Sequence, residues 1–316
     1  MPWLAGDDLR EGSAVLRQKK IAMEKVLITG GAGFIGSHLA ELLLDAGYSV
    51  RILDNLSYGR REWVPTEAEW MEGDICDLET CRAACCGVAG VFHMAAMSRS
   101  AASLDAIELC TEVNVLGTQN VLTAAREAGV KKLVYSGSST YYGNQKAPHV
   151  ETQRGDFLNF YGLTKHVGEE YCLLFDRLYN LPSVVLRYFN VYGSRQPETG
   201  AYALVLGIFL ERERQGKPLE IHGDGKQRRD FIHVRDIARA NLIAYESNTR
   251  GEVFNIGSGT NVSVQELADL ISAKQTRSER RRGDAEETLA DLSKTQAVLG
   301  WRPEVSFEEG LAELRA

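Results

Sequence analysis

The 316-residue sequence predicts an α/β fold, in which a doubly wound parallel sheet is joined by a smaller α/β lobe at the C-terminal end. In the stretch Val26 to Asp54, an apolar run, a glycine turn, a helical pattern and a second apolar run follow one another. Further short apolar runs then alternate with helical patterns, which is typical of parallel sheets. The sequence contains no internal repeat and no low-complexity linker, so we expect the two lobes to be interleaved.

The composition is that of an ordinary cytoplasmic protein. The net charge of -7 argues against a general nucleic-acid or membrane-surface binder. No apolar run approaches the roughly 20 residues that span a bilayer. The six cysteines lack paired metal-ligand spacing and accompany no secretory signal, so we expect reduced structural thiols and no metal. Four of them fall between residues 76 and 86, which leaves a redox role as an alternative.

The glycine turn predicts a dinucleotide site and a Rossmann-type sheet. Gly30, Gly33 and Gly36 stand between a strand and a helix, where they allow a tight turn and a close approach of backbone N–H groups to a pyrophosphate. Asp54 ends the next strand, where its carboxylate can accept hydrogen bonds from ribose hydroxyls and would repel a 2′-phosphate. The alternative is a loop that merely needs positive φ. The flanking strands, the helix and the acid favour NAD.

The next segments extend this pattern. Residues 1–22 form a leader without an apolar core, to which we assign no function. A strand ending near Asp74 would bring that carboxylate beside Asp54, within reach of the adenine amine. The alternative for Asp74 is the N-cap of a helix beginning near Leu78, and both roles are compatible. A strand over residues 90–93 and a helix running to Ala128, ended by Gly129, follow.

The candidate catalytic residues lie between Leu133 and Lys165. A strand over residues 133–135 delivers Ser138 at its carboxyl end, where ligands sit in open parallel sheets. In the helix predicted over residues 160–178, Tyr161 and Lys165 lie on one face. A phenol with a pKa near 10 is a poor base at neutral pH, but a lysine ammonium one turn away stabilises the phenolate. The alternative is a buried ring beside a solvated lysine.

Taken together, these motifs resemble the extended short-chain dehydrogenase/reductase family, and within it the NAD-dependent nucleotide-sugar epimerases and dehydratases. The resemblance runs from Lys25 to about Pro303. The motifs that carry it are TGGAGFIGSHL (29–39), LDN (53–55), GDICD (73–77), HMAA (93–96), NVLGT (114–118), SGSSTYYG (136–143), YGLTK (161–165), RYFNVYG (187–193), GDGKQRRDFIHVRDI (223–237), FNIGSG (254–259) and LGWRP (299–303).

The resemblance implies a role for each matching position. The implied catalytic residues are Ser138, which orients the sugar hydroxyl, Tyr161 as the base, and Lys165. The implied NAD-binding residues are Gly30, Gly33, Phe34, Ile35, Gly36, Asp54, Asn55, Asp74, Ile75, Ala95, Ala96, Asn114, Ser136, Tyr161, Lys165 and Tyr188. The implied substrate-binding residues are Ser98, Ser138, Asn190, Arg229, Arg281 (or Arg282) and Asp284. Without the resemblance, the basic run at 277–282 would be interpreted as a solvated surface.

Departures from the family pattern reduce the number of reactions that this chain is expected to catalyse. Dehydratases of the family carry an Asp-Glu pair where this chain has Ser139 and Thr140, and decarboxylating members tend to have a glutamate there. Ser98 and Arg99 also replace the residues that the family more often has in the loop after HMAA (93–96). Tyr141 is bulkier than the small aliphatic residue that the family usually has at its position. We therefore predict 4-epimerisation of a UDP-hexose, N-acetylhexosamine or hexuronate through a 4-keto intermediate. The alternatives are a dehydratase or C3/C5-epimerase, a nucleotide-sugar reductase, and a non-catalytic NAD and nucleotide-sugar binder.

The expected division places an NAD-binding domain at residues 23–190 and a nucleotide-sugar-binding lobe at residues 191–316. A helical pattern covers 194–222, and strands at 230–234 and 253–256 are expected to return to the large sheet. Ser263 and Glu266 have the spacing of a capping box that opens another helix. The resemblance also implies a homodimer formed through the helices near 103–128 and 160–178.

Overall fold

The computed structural model describes residues 24–98, 100–198, 204–280 and 282–316. The leader at 1–22, together with Met23, Arg99 and Arg281, therefore lies outside the described residues. Within the described ranges, no helix is long and apolar enough to cross a membrane.

A seven-stranded parallel sheet forms the centre of the molecule, as the sequence predicts. Its strand order is β11-β6-β5-β4-β1-β2-β3. The strands are β1 (Lys25–Thr29), β2 (Ser49–Asp54), β3 (Glu69–Glu72), β4 (Gly90–His93), β5 (Lys132–Ser138), β6 (Ser183–Tyr188) and β11 (Glu252–Ile256). The strand order reverses between β1 and β4, because β2 and β3 add on one side and β5 and β6 on the other. A doubly wound sheet opens a crevice at this reversal.

Helices cover both faces of this sheet. On one face α1 (Phe34–Asp45) packs against α8 (Val234–Glu246), and on the other α2 (Leu78–Cys85) packs against α5 (Thr118–Glu127). The other helices are α3 (Ser100–Asp105), α4 (Ile107–Thr111), α6 (Phe160–Tyr179), α7 (Val205–Arg214), α9 (Val264–Ile271), α10 (Ser293–Leu299) and α11 (Phe307–Arg315). Two separate apolar clusters lie one on each face, and the central strands β4, β5 and β6 are buried along their whole length.

The described residues of the second lobe include three small two-stranded sheets. They pair β7 (Asn190–Tyr192) with β10 (Phe231–His233), β8 (Leu219–His222) with β13 (Gln275–Ser278), and β9 (Arg228–Arg229) with β12 (Val262–Ser263). The helices α7, α9 and α11 enclose its own apolar cluster, which includes Leu206, Phe209, Ile221 and Leu267. This lobe therefore has a core separate from those of the large sheet.

Only one of the two strands expected to return to the large sheet does so. β11 pairs with β6 in parallel, whereas the strand expected at 230–234 pairs with β7 outside the large sheet, so that prediction is wrong. The reason is that the chain leaves the large sheet at Phe189, whose N–H bonds to Ile256 O. β7 is thereby carried into the second lobe, and β10 follows it there.

Local signals account for most element ends. Within the helical pattern at 194–222, the described helix covers only Val205–Arg214, and Gly216 (φ +67°) and Pro218 separate it from strand β8. The predicted capping box of α9 is confirmed. The N-cap of α2 is Asp77 rather than Asp74, which corrects the alternative interpretation of that residue.

A buried ion pair fastens α6 to the sheet. Arg187 on β6 donates from Nε (2.9 Å) and Nη2 (2.5 Å) to the carboxylate of Glu169 on α6. Its Nη1 also donates to the hydroxyl of Tyr142 at 2.9 Å. Burial alone would raise the pKa of Glu169, but the nearby His166 ring and the hydrogen bonds and charge of Arg187 outweigh it and hold that pKa below its ordinary value. Both charges are therefore kept inside the protein as a pair.

Replacement of Glu169 by glutamine should destabilise the fold by about 3 kcal/mol, because it leaves the Arg187 cation buried without its counter-charge. Urea denaturation at pH 7 measures this loss. Glu170 follows in the sequence and is exposed, so E170Q is the matched control and should change stability by no more than about 0.5 kcal/mol. Equal stability of the two variants would show that the pair does not fasten the helix.

Candidate active site

The functional site is a cavity of about 810 Å³ at the carboxyl ends of the parallel strands. It begins at the glycine turn after β1, passes the ends of β4, β5 and β6, and continues into the second lobe. A site of this kind at the reversal of strand order is the expected position for a ligand in an open α/β sheet.

Neighbouring backbone packs so closely against the glycine turn that no side chain fits there. Gly30 has φ +73°, and a Cβ there would lie 2.7 Å from the backbone nitrogen of Ala95. A Cβ on Gly36 would overlap the carbonyl oxygen of Gly30. Gly33, the N-cap of α1, provides no side-chain cap for the first N–H groups of that helix. The turn therefore fits a pyrophosphate, which those N–H groups and the helix dipole favour.

Two carboxylates stand at one end of the cavity. Asp54 accepts hydrogen bonds from Ala32 N (3.0 Å) and Leu56 N (2.8 Å), and burial raises its pKa against the effect of these bonds. Asn55 donates through Nδ2 to Asp74 Oδ2 at 2.8 Å. The sequence prediction that Asp54 and Asp74 share one sheet edge is thus confirmed by geometry. Both line the cavity.

The reactive end of the cavity combines a strand end with a helix start. Ser138 is the last residue of β5, and its Oγ lies 2.8 Å from the Oγ1 of Thr140. Tyr161 is the second residue of α6, and its N–H donates to Ser103 Oγ at 3.1 Å. Asn159 caps the same turn by accepting from Gly162 N at 2.9 Å. Ser138 and Tyr161 both line the cavity.

Lys165 lies one turn after Tyr161 and is buried. Its Nζ is 4.2 Å from the centroid of the Tyr135 ring, and the Tyr135 hydroxyl donates to Lys165 O at 3.2 Å. Burial lowers the pKa of Lys165 to about 7. Above neutral pH, the protonated amine is therefore favoured only where a nearby anion stabilises it. A phenolate one turn away would be such an anion, and each group would then stabilise the charged form of the other.

The second lobe supplies the opposite wall. Asn190 donates through Nδ2 to Thr288 Oγ1 and to Asp230 O, both at 3.0 Å. Burial lowers the pKa of Arg229, and the negative charge of Asp284 opposes that effect. Asn190, Arg229 and Asp284 all line the cavity. This wall therefore presents a guanidinium beside a carboxylate. Both residues are far from the glycine turn in the sequence, yet they line the same cavity.

Most of the sequence-predicted residues meet in this one cavity. Asn114 is not among the lining residues: it is buried beneath them and holds Met97 by accepting from its N–H (2.8 Å) and donating to its carbonyl (3.0 Å). Arg282 is described but does not line the cavity, and Arg281 lies outside the described residues.

Sequence reasoning missed several residues at the site. Asn159 directly precedes the helix of Tyr161, and its type and position are those of an N-cap, so this signal was available. Ser103, by contrast, reaches Tyr161 N from another helix, which no spacing in the sequence reveals. Further lining residues in the second lobe are Arg212, Glu220, His222 and Gln227.

A family profile, described as the NAD dependent epimerase/dehydratase family, matches residues 26–257. The chain belongs to this family. It is 38% identical over 295 residues to a putative UDP-glucose 4-epimerase of Methanocaldococcus jannaschii, covering 90% of this chain and 95% of that one.

Solved structures of similar proteins agree with this membership. A UDP-glucose 4-epimerase of Thermotoga maritima, solved with UDP-glucose, has a TM-score of 0.89 and 37% identity, covering 92% of this chain and 97% of that one. A UDP-glucose 4-epimerase of Thermus thermophilus, solved with NAD, has a TM-score of 0.86 and 34% identity, covering 92% and 99%. The similarity thus extends over the second lobe as well as the sheet.

The two residues that follow Ser138 in this chain, Ser139 and Thr140, carry no charge. Ser139 is buried, and Thr140 is hydrogen bonded to Ser138. The carboxylates among the described lining residues are Asp54, Asp74, Glu220 and Asp284, none of which belongs to β5 or α6. The titratable side chains that those two elements place on the cavity wall are therefore Tyr161 and Lys165.

Burial of Lys165 predicts a distinctive pH dependence of stability. The folded protein loses the Lys165 proton above about pH 7, while the unfolded chain keeps it until about pH 10.5. Between these values the unfolded state binds more protons, so the contribution of Lys165 to the free energy of unfolding rises with pH. The stability of the wild type relative to K165M should increase by on the order of 4 kcal/mol across this window.

Denaturant titrations at several pH values measure this difference. Lys226 is highly exposed, so K226M serves as the control, and its stability should run parallel to that of the wild type. Parallel curves for K165M and the wild type would contradict the assigned burial effect.

Proposed function

We propose that this protein is an NAD-dependent 4-epimerase of a UDP-hexose or of its N-acetylhexosamine or hexuronate derivative. The observation that carries this proposal is that one cavity joins the glycine turn, the Ser138–Tyr161–Lys165 group and the Arg229–Asp284 wall. Similarity to UDP-glucose 4-epimerases solved with UDP-glucose and with NAD supports it. The neutral residues after Ser138 favour epimerisation over elimination of water.

The residues at the glycine end fit NAD. The part of the cavity lined by Gly30, Gly33 and Gly36 would admit the pyrophosphate, and the uncapped start of α1 would donate to it. Asp54 would hold the adenosine ribose, and Asp74 with Ile75 would contact the adenine. Ala95 and Ala96 would line the path of the cofactor toward Ser136, Lys165 and Tyr188, where the nicotinamide end would lie.

NAD held at this end would supply a hydride acceptor, and then a hydride donor, for carbon 4 of the sugar. Tyr161 performs the proton transfer: as a phenolate it takes the proton of the 4-hydroxyl, and as a phenol it gives the proton back. Ser138 holds the same oxygen through a hydrogen bond. Lys165 carries the balancing positive charge, and its buried position makes this charge sensitive to that of Tyr161.

Inversion requires the oxidised sugar to present its other face while the rest of the substrate stays bound. Arg229 is suited to hold the diphosphate because a guanidinium binds phosphate through two parallel hydrogen bonds. Asp284 would accept hydrogen bonds from the uridine ribose. The binding energy of the nucleotide would thus keep the substrate in place while the sugar ring turns.

Incubation with UDP-glucose tests the reaction, and we expect UDP-galactose of unchanged mass, with no consumption of added NADH. Proton NMR identifies the product, and mass spectrometry detects water loss. A panel with N-acetylglucosamine and glucuronate on UDP, and with dTDP- and GDP-sugars, then assigns the substrate. A product lighter by one water indicates a dehydratase, and stoichiometric NADH consumption indicates a reductase.

Replacement of Tyr161 by phenylalanine should reduce kcat by at least about 100-fold, the usual contribution of a general base, with NAD binding retained. The control is Y179F, which removes the same hydroxyl from the exposed far end of α6. Initial rates and a fluorescence titration of NAD measure the two effects. Near-normal turnover by Y161F would contradict the proposal. A wild-type protein that binds NAD and the nucleotide sugars but turns over none of them would contradict it as well.

We also propose a cytoplasmic homodimer that forms through α6 and the helices before β5. Leu163, Leu174 and Leu178 form an exposed apolar stripe along α6. Ile107 and Leu116, which precede α5, are exposed as well. Contact between two copies through these surfaces would remove the apolar side chains from water.

The double variant L174K/L178K should shift the protein from dimer to monomer, because it would place two ammonium groups within an apolar interface. Light scattering after size exclusion measures the mass. V298K changes an equally exposed apolar residue on α10 and should leave the mass unchanged. A double variant that remains dimeric would place the interface elsewhere.

A further inference from the structure

Asn159 joins the two lobes by hydrogen bonding in two directions. Its Oδ1 accepts from Gly162 N in the first turn of α6 at 2.9 Å. Its Nδ2 donates to Gly283 O, in the second lobe, at 3.1 Å. The side chain is 8% exposed, so water competes little for either bond. One amide group therefore spans from the helix that carries Tyr161 to the loop over residues 282–286, which we call the nucleotide loop.

On the helix side, Asn159 acts on the turn that holds the reactive phenol. Tyr161 is the residue before Gly162, and its own N–H donates to Ser103 Oγ at 3.1 Å. Ser103 in turn donates to Ser100 O at 2.7 Å. The first turn of the helix is thus held by two side chains, one from each direction. A shift of either support would move the backbone from which the Tyr161 ring projects.

On the loop side, the contact is made possible by glycine. Gly283 has φ +78°, and a Cβ there would lie 3.3 Å from Leu158 O and 3.6 Å from the Cβ of Asn159. The next residue, Asp284, lines the cavity, and its charge acts on Arg229. The Asn159 hydrogen bond therefore ends one residue away from a side chain that lines the cavity.

The rest of the nucleotide loop is attached further along. Glu286 N donates to Asn144 Oδ1 at 2.9 Å, and Glu286 O accepts from Arg228 N at 2.9 Å. The loop is thus tied to the segment that follows β5 as well as to the start of α6. Asn159 is the tie that ends on the turn containing Tyr161.

We propose that Asn159 is a positioning residue, which couples occupation of the nucleotide end of the cavity to the orientation of Tyr161. This inference rests on the proposed function, since it takes the occupant to be the UDP group of the substrate. A nucleotide that orders the loop favours the state in which Gly283 O meets Asn159, and the same state holds the first turn of α6 in place. Such coupling is reciprocal between the two ends.

Two substitutions of Asn159 separate this link from simple helix capping. N159S keeps an oxygen that can accept from Gly162 N, but its side chain is too short to reach Gly283 O as well. N159D keeps both length and cap, but turns an acceptor oxygen toward the Gly283 carbonyl. S103A is the matched control, because it removes a hydrogen bond from the same helical turn without touching the nucleotide loop.

Hydrogen–deuterium exchange on the NAD-loaded protein, with and without saturating UDP, measures the coupling. In the wild type, UDP should slow exchange of the amides in 160–165 and in 282–286. The expected slowing in 160–165 is about 2- to 10-fold, as for one net hydrogen bond. N159S and N159D should lose the slowing in 160–165 and keep it in 282–286, and S103A should keep both. In N159S and N159D, kcat should fall by a larger factor than the KM for the UDP-sugar rises.

Calorimetric titration with UDP separates the possible failures. If UDP binds but leaves the exchange of 160–165 unchanged in the wild type, or slows it equally in N159S and N159D, Asn159 does not couple the sites. If UDP fails to bind the NAD-loaded wild type, the proposed function is contradicted, and this inference with it.

Discussion

The reversal of strand order between β1 and β4 determines where the cavity lies and which residues line it. Because connections leave the two strands in opposite directions, nothing crosses above their carboxyl ends, and a crevice remains. The glycine turn follows β1, a run of small residues follows β4, and Ser138 ends the neighbouring β5. Parallel strands end at the same edge, so residues far apart in the sequence are brought to one cavity without any dedicated loop.

The helix α6 arranges its charges in order along one face. Tyr161, Lys165 and Glu169 recur every four residues, which places them on one side of the helix. Glu169 is deep, paired with Arg187 and chemically inert, whereas Lys165 is buried in surroundings that lower the pKa of its amine to about 7. The ion pair secures the helix, and Tyr161 and Lys165 line the cavity in the turns before it. The structural pair and the cavity-lining residues thus occupy successive turns.

The sequence allowed prediction of the fold where the pattern was local. The strand, glycine turn and helix from Val26 to Asp54 are specified by adjacent residues, and so is the Ser263–Glu266 capping box. The destination of the strand before Val234 was not predictable in this way, because pairing with β7 depends on where the chain leaves the large sheet at Phe189. The helical pattern at 194–222 similarly concealed a strand, since β8 is short and buried against another segment.

The candidate site shows the same division. Motif positions such as Asp54, Ser138 and Tyr161 lie on the cavity wall because they sit at strand ends or helix starts. Asn114 carries the right motif, yet it lies beneath the wall, because the helical turn around it points its amide at the backbone of Met97. Ser103 and Gly283 reach the first turn of α6 from distant segments, and only the assembled structure brings them together.

The clamp of Asn114 on Met97 has a consequence for the cavity wall. The turn from Glu112 to Gly117 is wider than an α-helical turn, with a π-helical hydrogen-bonding pattern, and Asn114 lies within it. Asn114 holds the loop through the backbone of Met97, and the side chain of the next residue, Ser98, lines the cavity. A substitution at that position would therefore change the shape of the cavity wall while the hold of Asn114 on Met97 stays in place.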